Sequence, residues 1–69
     1  QYDKAIKLLD NGIGKVSKND SIELKLIKSL VLNEQGNSKK AKGLLNEIMS
    51  VDKLPRHLKH KCEEIIGMI

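Results

Sequence analysis

The chain has almost no aromatic side chains: Trp and Phe are absent, and Tyr2 is the single Tyr among 69 residues. Proteins that bind single-stranded nucleic acid commonly stack bases on exposed aromatic rings, so this absence disfavours a base-stacking surface. The apolar residues that are present are almost all Leu, Ile and Val. This composition is typical of a core packed between helices.

Cysteine is equally scarce, because Cys62 is the only one and cannot form a disulfide within the chain. A lone Cys is typical of a reducing compartment, so we expect a cytoplasmic protein. His57 and His60 lie close to Cys62 in sequence, but zinc needs three or four ligands on converging elements. On a helix Cys62 points to the apolar face, away from both His, and we expect neither a metal nor a cofactor.

Long apolar runs are missing too, since none approaches the roughly 18 residues of a membrane span. Charged residues make up 32 % of the chain, and the net charge of +4 is too small to establish nucleic-acid binding. A chain this short buries only about 60 % of its unfolded surface, which makes a deep, water-excluded active site hard to build. We therefore expect no enzymatic activity and no membrane partner.

Hydrophobic spacing predicts helices over about residues 2–16, 20–35, 38–51 and 55–68 and shows no period-two strand, which indicates an all-α fold. We expect one helical domain over residues 1–69, made of two antiparallel helical hairpins. These would be stacked as a short solenoid or closed as a four-helix bundle. Because the helical pattern starts with the first residues, we also expect the chain to belong to a longer protein.

Residues 10–15, DNGIGK, contain two glycines and a lysine that invite three interpretations. A phosphate-binding loop, G-x-x-x-x-G-K-[ST], needs Gly and Ser or Thr where Leu9 and Val16 stand. A hairpin turn at Asn11-Gly12 is the second interpretation. The apolar stripe that starts at Leu9 nevertheless continues in phase through Ile13 and Val16, so we favour a helix that passes Gly12 with a neighbouring helix close against it.

The second predicted helix is apolar over half of its circumference or more, so we expect it to pack against more than one neighbour. Asp20 and Glu23 form a D-x-x-E pattern that predicts its start. Gly36-Asn37 predicts its end, since Gly readily takes the left-handed conformation that closes a helix. Pro55 is expected at the first position of the last helix, where its missing N–H has no cost.

An internal repeat appears when residues 4–13 are placed over residues 40–49, a shift of 36. The identical pairs are Lys4/Lys40, Ala5/Ala41, Leu8/Leu44 and Leu9/Leu45. A period in the thirties is typical of a solenoid unit made of one helix-turn-helix. The stretch 33–52, NEQGNSKKAKGLLNEIMSVD, resembles the second half of a tetratricopeptide repeat, with Gly36 as the turn glycine and Ala41 and Leu45 as small and large core positions.

The tetratricopeptide resemblance implies a non-catalytic protein-protein interaction module that binds a peptide or a helix, with a second copy of the chain as one such partner. In this family the ligand lies on the concave face, formed mainly by the first helix of each unit. Here that helix is residues 20–35, and the candidate partner-binding residues on it are Lys25, Lys28 and Leu32.

Residues 44–69 also resemble the helix, Pro-containing turn and basic helix of a family of small archaeal four-helix proteins. A basic cluster lies in this stretch, formed by Arg56, His57, Lys59, His60 and Lys61. Cations at a helix N-terminus oppose the helix macrodipole, so the cluster is a candidate anion-binding site and suggests an alternative function as a nucleic-acid or ribonucleoprotein accessory protein. The other interpretation is a solvated face, balanced in part by Asp52, Glu63 and Glu64.

Overall fold

The computed structural model describes residues 1–69 and consists of four α-helices without a strand, which confirms the predicted all-α fold. The helices are α1 (Tyr2–Ile13), α2 (Lys18–Glu34), α3 (Ser38–Met49) and α4 (Arg56–Met68). No helix of the chain combines the length and the apolar character that crossing a membrane requires.

The α1–α2 junction differs from the prediction. Helix α1 ends at Ile13 with Gly14 as its C-cap, so the predicted extension to residue 16 is wrong, and Val16 is 43 % exposed. Helix α2 begins earlier than predicted, because the Ser17 hydroxyl accepts a hydrogen bond from the backbone N–H of Asp20 at 3.3 Å. Ser17 rather than Asp20 therefore caps α2, and Asp20 lies in the first turn, where a negative charge is favoured by the macrodipole.

The α2–α3 turn has the geometry that Gly36 predicts. Gly36 has a φ of +88°, its N–H donates to Asn33 O at 3.0 Å, and the Asn37 N–H donates to Leu32 O at 2.8 Å. This pair of bonds is a Schellman motif, and it satisfies carbonyls that the helix end would otherwise leave unpaired. The start of α4 differs by one residue from the prediction, because Pro55 is the N-cap of α4 rather than its first helical residue.

The hydrophobic core lies between α2, α3 and α4. Its buried members are Ile22, Leu26, Leu45, Ile48, Leu58, Cys62 and Ile65. The one buried polar side chain, Ser29, donates its hydroxyl hydrogen to Leu26 O at 2.6 Å and so is not left unpaired. Helix α1 contributes no fully buried residue and so lies outside this core.

Helix α2 packs against all three other helices, as its broad apolar circumference predicts, whereas α1 packs against α2 alone. The two helices run antiparallel, since Gln35 Nε2 donates to Asp3 Oδ1 at 3.2 Å and Lys28 Nζ lies 2.7 Å from Asp10 Oδ1. Because α1 does not meet α4, the helices do not close into a ring. They form a flat array with extents of 33 × 29 × 15 Å.

The 36-residue shift is visible in the helices themselves. Helices α1 and α3 both contain 12 residues, and they begin at residues 2 and 38. Buried residues of α2 at 22, 26 and 29 correspond at the same shift to buried residues of α4 at 58, 62 and 65. Both of these faces turn towards the common core around α3.

The close neighbour expected at Gly12 is Leu24 of α2. A Cβ added to Gly12 would lie 3.1 Å from Leu24 Cδ1, whereas a Cβ added to Gly43 of α3 would meet nothing within 4 Å. This confirms that a neighbouring helix lies against Gly12. The small residue allows α1 and α2 to approach each other closely.

We predict opposite responses to alanine at these two glycines. Gly43→Ala should raise the free energy of unfolding by about 0.5–1 kcal/mol, because Ala is the better helix former and the site is open. Gly12→Ala should raise the free energy of unfolding by clearly less, because its new methyl group would be in close steric contact with Leu24. Urea unfolding followed by circular dichroism measures both, and an equal gain at the two sites would contradict the close α1–α2 contact.

Candidate functional site

A groove of about 490 Å³ runs between α1 and α3 on one side of α2. Its apolar surface comes from Ile6, Leu32 and Leu44, one residue from each of the three helices. Its polar rim consists of Asp3, Lys28, Gln35, Asn37, Lys40 and Glu47. The rim thus carries two acids, two lysines and two amides, without excess of either sign.

The structure brings two of the three predicted partner-binding residues together in this α1–α3 groove. Lys28 lines it, but the Lys28 ammonium is already paired with Asp10, and its side chain is only 24 % exposed. Leu32 lies in the groove floor and is 7 % exposed, so it offers little free surface. Lys25 is half-buried and does not line this groove.

A second groove, of about 400 Å³, lies between α2 and α4 and is mostly apolar. Its lining residues are Leu26, Ile27, Leu30, Ile65 and Met68, with Glu23, Lys61 and Glu64 at the rim. Ile27 is 48 % exposed and Met68 is 67 % exposed, so large apolar side chains from both walls face solvent. Exposed apolar groups that cluster in one groove indicate an interaction surface more strongly than the same groups scattered singly.

Sequence reasoning missed Ile27 and Met68 as site residues. The available signal was the apolar circumference of α2, which exceeds what one neighbouring helix can cover. That pattern predicts several contacts but does not tell which apolar residue faces a neighbour and which faces a groove. The missing information is the position of α4 relative to α2, and this depends on the tertiary packing.

The basic cluster at the start of α4 is exposed and occupies two sides of the helix. Arg56, His57, His60 and Lys61 line one shallow depression together with Glu64. Lys59 does not line it. The imidazole Nε2 of His60 lies 3.3 Å from Glu64 Oε1, so one acid already neutralises part of this face when His60 is protonated. Because both groups are more than half exposed, this ion pair is worth little to stability.

Cys62 is separated from both His residues, as predicted, because it lies in the core. It is fully buried, and its Sγ contacts Leu45 O at 3.4 Å. Burial raises the pKa of the Cys62 thiol above its ordinary value, and the negative charge of Glu63 raises it further. A buried thiol with a raised pKa is a poor nucleophile, so the position supports packing rather than chemistry.

The geometry therefore offers an apolar groove between α2 and α4. Three or more His, Cys, Asp or Glu residues nowhere converge in an arrangement that could hold a metal ion. Protein-family models, curated proteins and solved structures were each compared with the chain, and none of them matches it.

Proposed function

We propose that the protein is a non-catalytic protein-protein interaction module of helical-repeat type, and that its α2–α4 groove binds an amphipathic helix. The observation that carries this proposal is the exposure of Ile27 and Met68 on opposite walls of one apolar groove. Burying both side chains against a partner would remove apolar surface from water, which favours association.

The exposed area of the molecule supports a partner, and the dimensions of the groove indicate what could occupy it. The chain exposes 4904 Å². A compact monomer of 7.7 kDa is expected to expose only about 4,300 Å². The groove lining spans residues 61–68 of α4 and residues 23–30 of α2, about 12 Å of each helix. An apolar groove of this length accepts about two turns of a helix that presents residues i, i+3, i+4 and i+7. Met68 adds an adaptable side chain, a type that suits helix-binding surfaces.

The equal length and 36-residue spacing of α1 and α3 support the helical-repeat part of the proposal. In repeat proteins each helical hairpin buries its apolar face against the next one, and binding surfaces extend across neighbouring units. The α2–α4 groove lies across such a junction, because α2 belongs to the first hairpin and α4 follows the second copy of the α1-like helix.

The test uses a synthetic 18-residue amphipathic peptide with one Leu stripe, titrated into the protein and followed by isothermal calorimetry. Ile27→Asp plus Met68→Asp should weaken binding at least about 30-fold, on the order of 2 kcal/mol, because two apolar contacts are lost and two charges must be desolvated. Both positions are exposed, so helicity and the unfolding midpoint should change little.

Leu8→Asp is the matched control, because Leu8 is 72 % exposed on α1 and lies outside the groove. It should leave peptide affinity unchanged, and an equal loss with Leu8→Asp would place binding elsewhere. The same titration with a single-stranded RNA oligonucleotide tests the alternative function. RNA binding that falls steeply with salt and is lost on Lys59→Glu plus Lys61→Glu, without any peptide binding, would replace the proposal.

A further inference from the structure

The two sides of the α2–α4 groove and its surroundings differ in net charge, and from this we infer the chemistry of the partner. We propose that the occupant is an amphipathic helix with a basic flank that lies along α2 and an acidic flank that lies along α4. This inference rests on the proposed function, since it describes the partner of the same groove. It adds a partner class and a direction of binding that the apolar floor alone does not specify.

The α2 wall is acidic because the charges of α2 are sorted by side. Asp20, Glu23 and Glu34 share one side of the helix with Ile27, from which they are seven, four and seven residues away. All three acids are exposed, and Glu23 lines the groove itself. The lysines lie on the other side of α2, where Lys28 lines the α1–α3 groove and pairs with Asp10.

The α4 side carries more bases than acids. Lys61 and Glu64 line the groove itself, one of each sign, and Arg56, His57 and His60 lie with them around the adjoining depression on α4. Glu64 is the one acid of this group, and its Oε1 lies 3.3 Å from His60 Nε2. The facing side of α2 carries only acids, so a helix seated in the groove meets net charge of a different sign on its two sides.

Charge complementarity selects the partner and its direction more than it adds affinity. A helix with one basic and one acidic flank places each flank beside the opposite charge in only one direction. Reversing that helix in the groove would set basic residues against Lys61 and acidic residues against Glu23. Helices with two basic or two acidic flanks meet repulsion at one wall in either direction.

The test compares three peptides that share the same Leu stripe and length. One has a basic and an acidic flank, one has two basic flanks and one has two acidic flanks. At low salt the mixed-flank peptide should bind about tenfold more tightly than either uniform peptide. Glu23→Lys plus Glu34→Lys should remove this preference and make the acidic peptide the tightest. High salt should shrink every difference, because these charges are exposed.

Glu47→Lys plus Asp52→Lys is the matched control, because it makes the same change in net charge at exposed acids outside this groove. It should preserve the preference for the mixed-flank peptide. Equal affinities for all three peptides would overturn this inference and leave the proposed function intact, whereas no binding of any peptide would overturn both. A dimer in sedimentation analysis that Ile27→Asp dissociates would also overturn it, because a second copy would then occupy the groove.

Discussion

Replacing Leu45 with Ala is expected to lower the free energy of unfolding by about 3–4 kcal/mol. Leu45 is fully buried in the middle of α3, between the faces that α2 and α4 turn towards the core. Removing its side chain leaves a cavity that three helices can fill only by moving. Because small domains of this length have stabilities of only about 3–5 kcal/mol, the variant should be largely unfolded at room temperature. Urea unfolding followed by circular dichroism measures the loss.

Leu9→Ala is the matched control for Leu45→Ala, because Leu9 occupies the same position of the 36-residue repeat in α1. Leu9 is only half-buried, and α1 packs against α2 alone. Leu9→Ala should therefore lower the free energy of unfolding by clearly less than Leu45→Ala, about 1–2 kcal/mol. Equal losses at the two positions would mean that α1 is packed as completely as α3, contrary to the structure.

Leu9 and Leu45 also show how far the sequence predicts this molecule. Apolar spacing predicts that each residue lies on the buried face of its helix, and both do lie on the packed side. Spacing cannot predict how many helices cover that face, because the number of neighbours depends on contacts between residues distant in sequence. The same limit explains why the predicted first helix extends wrongly to Val16. The apolar pattern continues in phase to Val16, although α1 ends at Ile13.

The α2–α4 groove was not predicted from the sequence. Family resemblance placed the binding residues on α2, and the structure places Lys28 and Leu32 of that set in the α1–α3 groove, with little free surface. The exposed large apolar residue of α2 is Ile27, which lies in the α2–α4 groove. A helical repeat pattern identifies the helix that can bind, but the free side of that helix is whatever its neighbours leave uncovered.

Cys62 should react with a thiol reagent such as dithionitrobenzoate about 10³-fold more slowly in the folded protein than in urea. The side chain of Cys62 is fully buried and contacts Leu45 O. The reagent can therefore reach the thiol only after α4 has separated from the core. The expected factor corresponds to an opening free energy of about 4 kcal/mol. Leu45→Ala should abolish most of this protection. Rapid labelling that Leu45→Ala does not change would show that α4 detaches while the remaining helices stay folded.

The raised pKa of Cys62 predicts a fall in stability at alkaline pH. In the folded chain the thiol keeps its proton at pH values where the unfolded chain, with an ordinary pKa of 9.0, has already lost it. The contribution of the thiol to stability is therefore complete below about pH 9.0 and is lost as pH rises towards the folded pKa. Unfolding midpoints in urea between pH 7 and pH 10 should show this decline. Cys62→Ala, which has no thiol to ionise, should lack that component of the decline. A slope unchanged by the substitution would assign the alkaline loss to other groups.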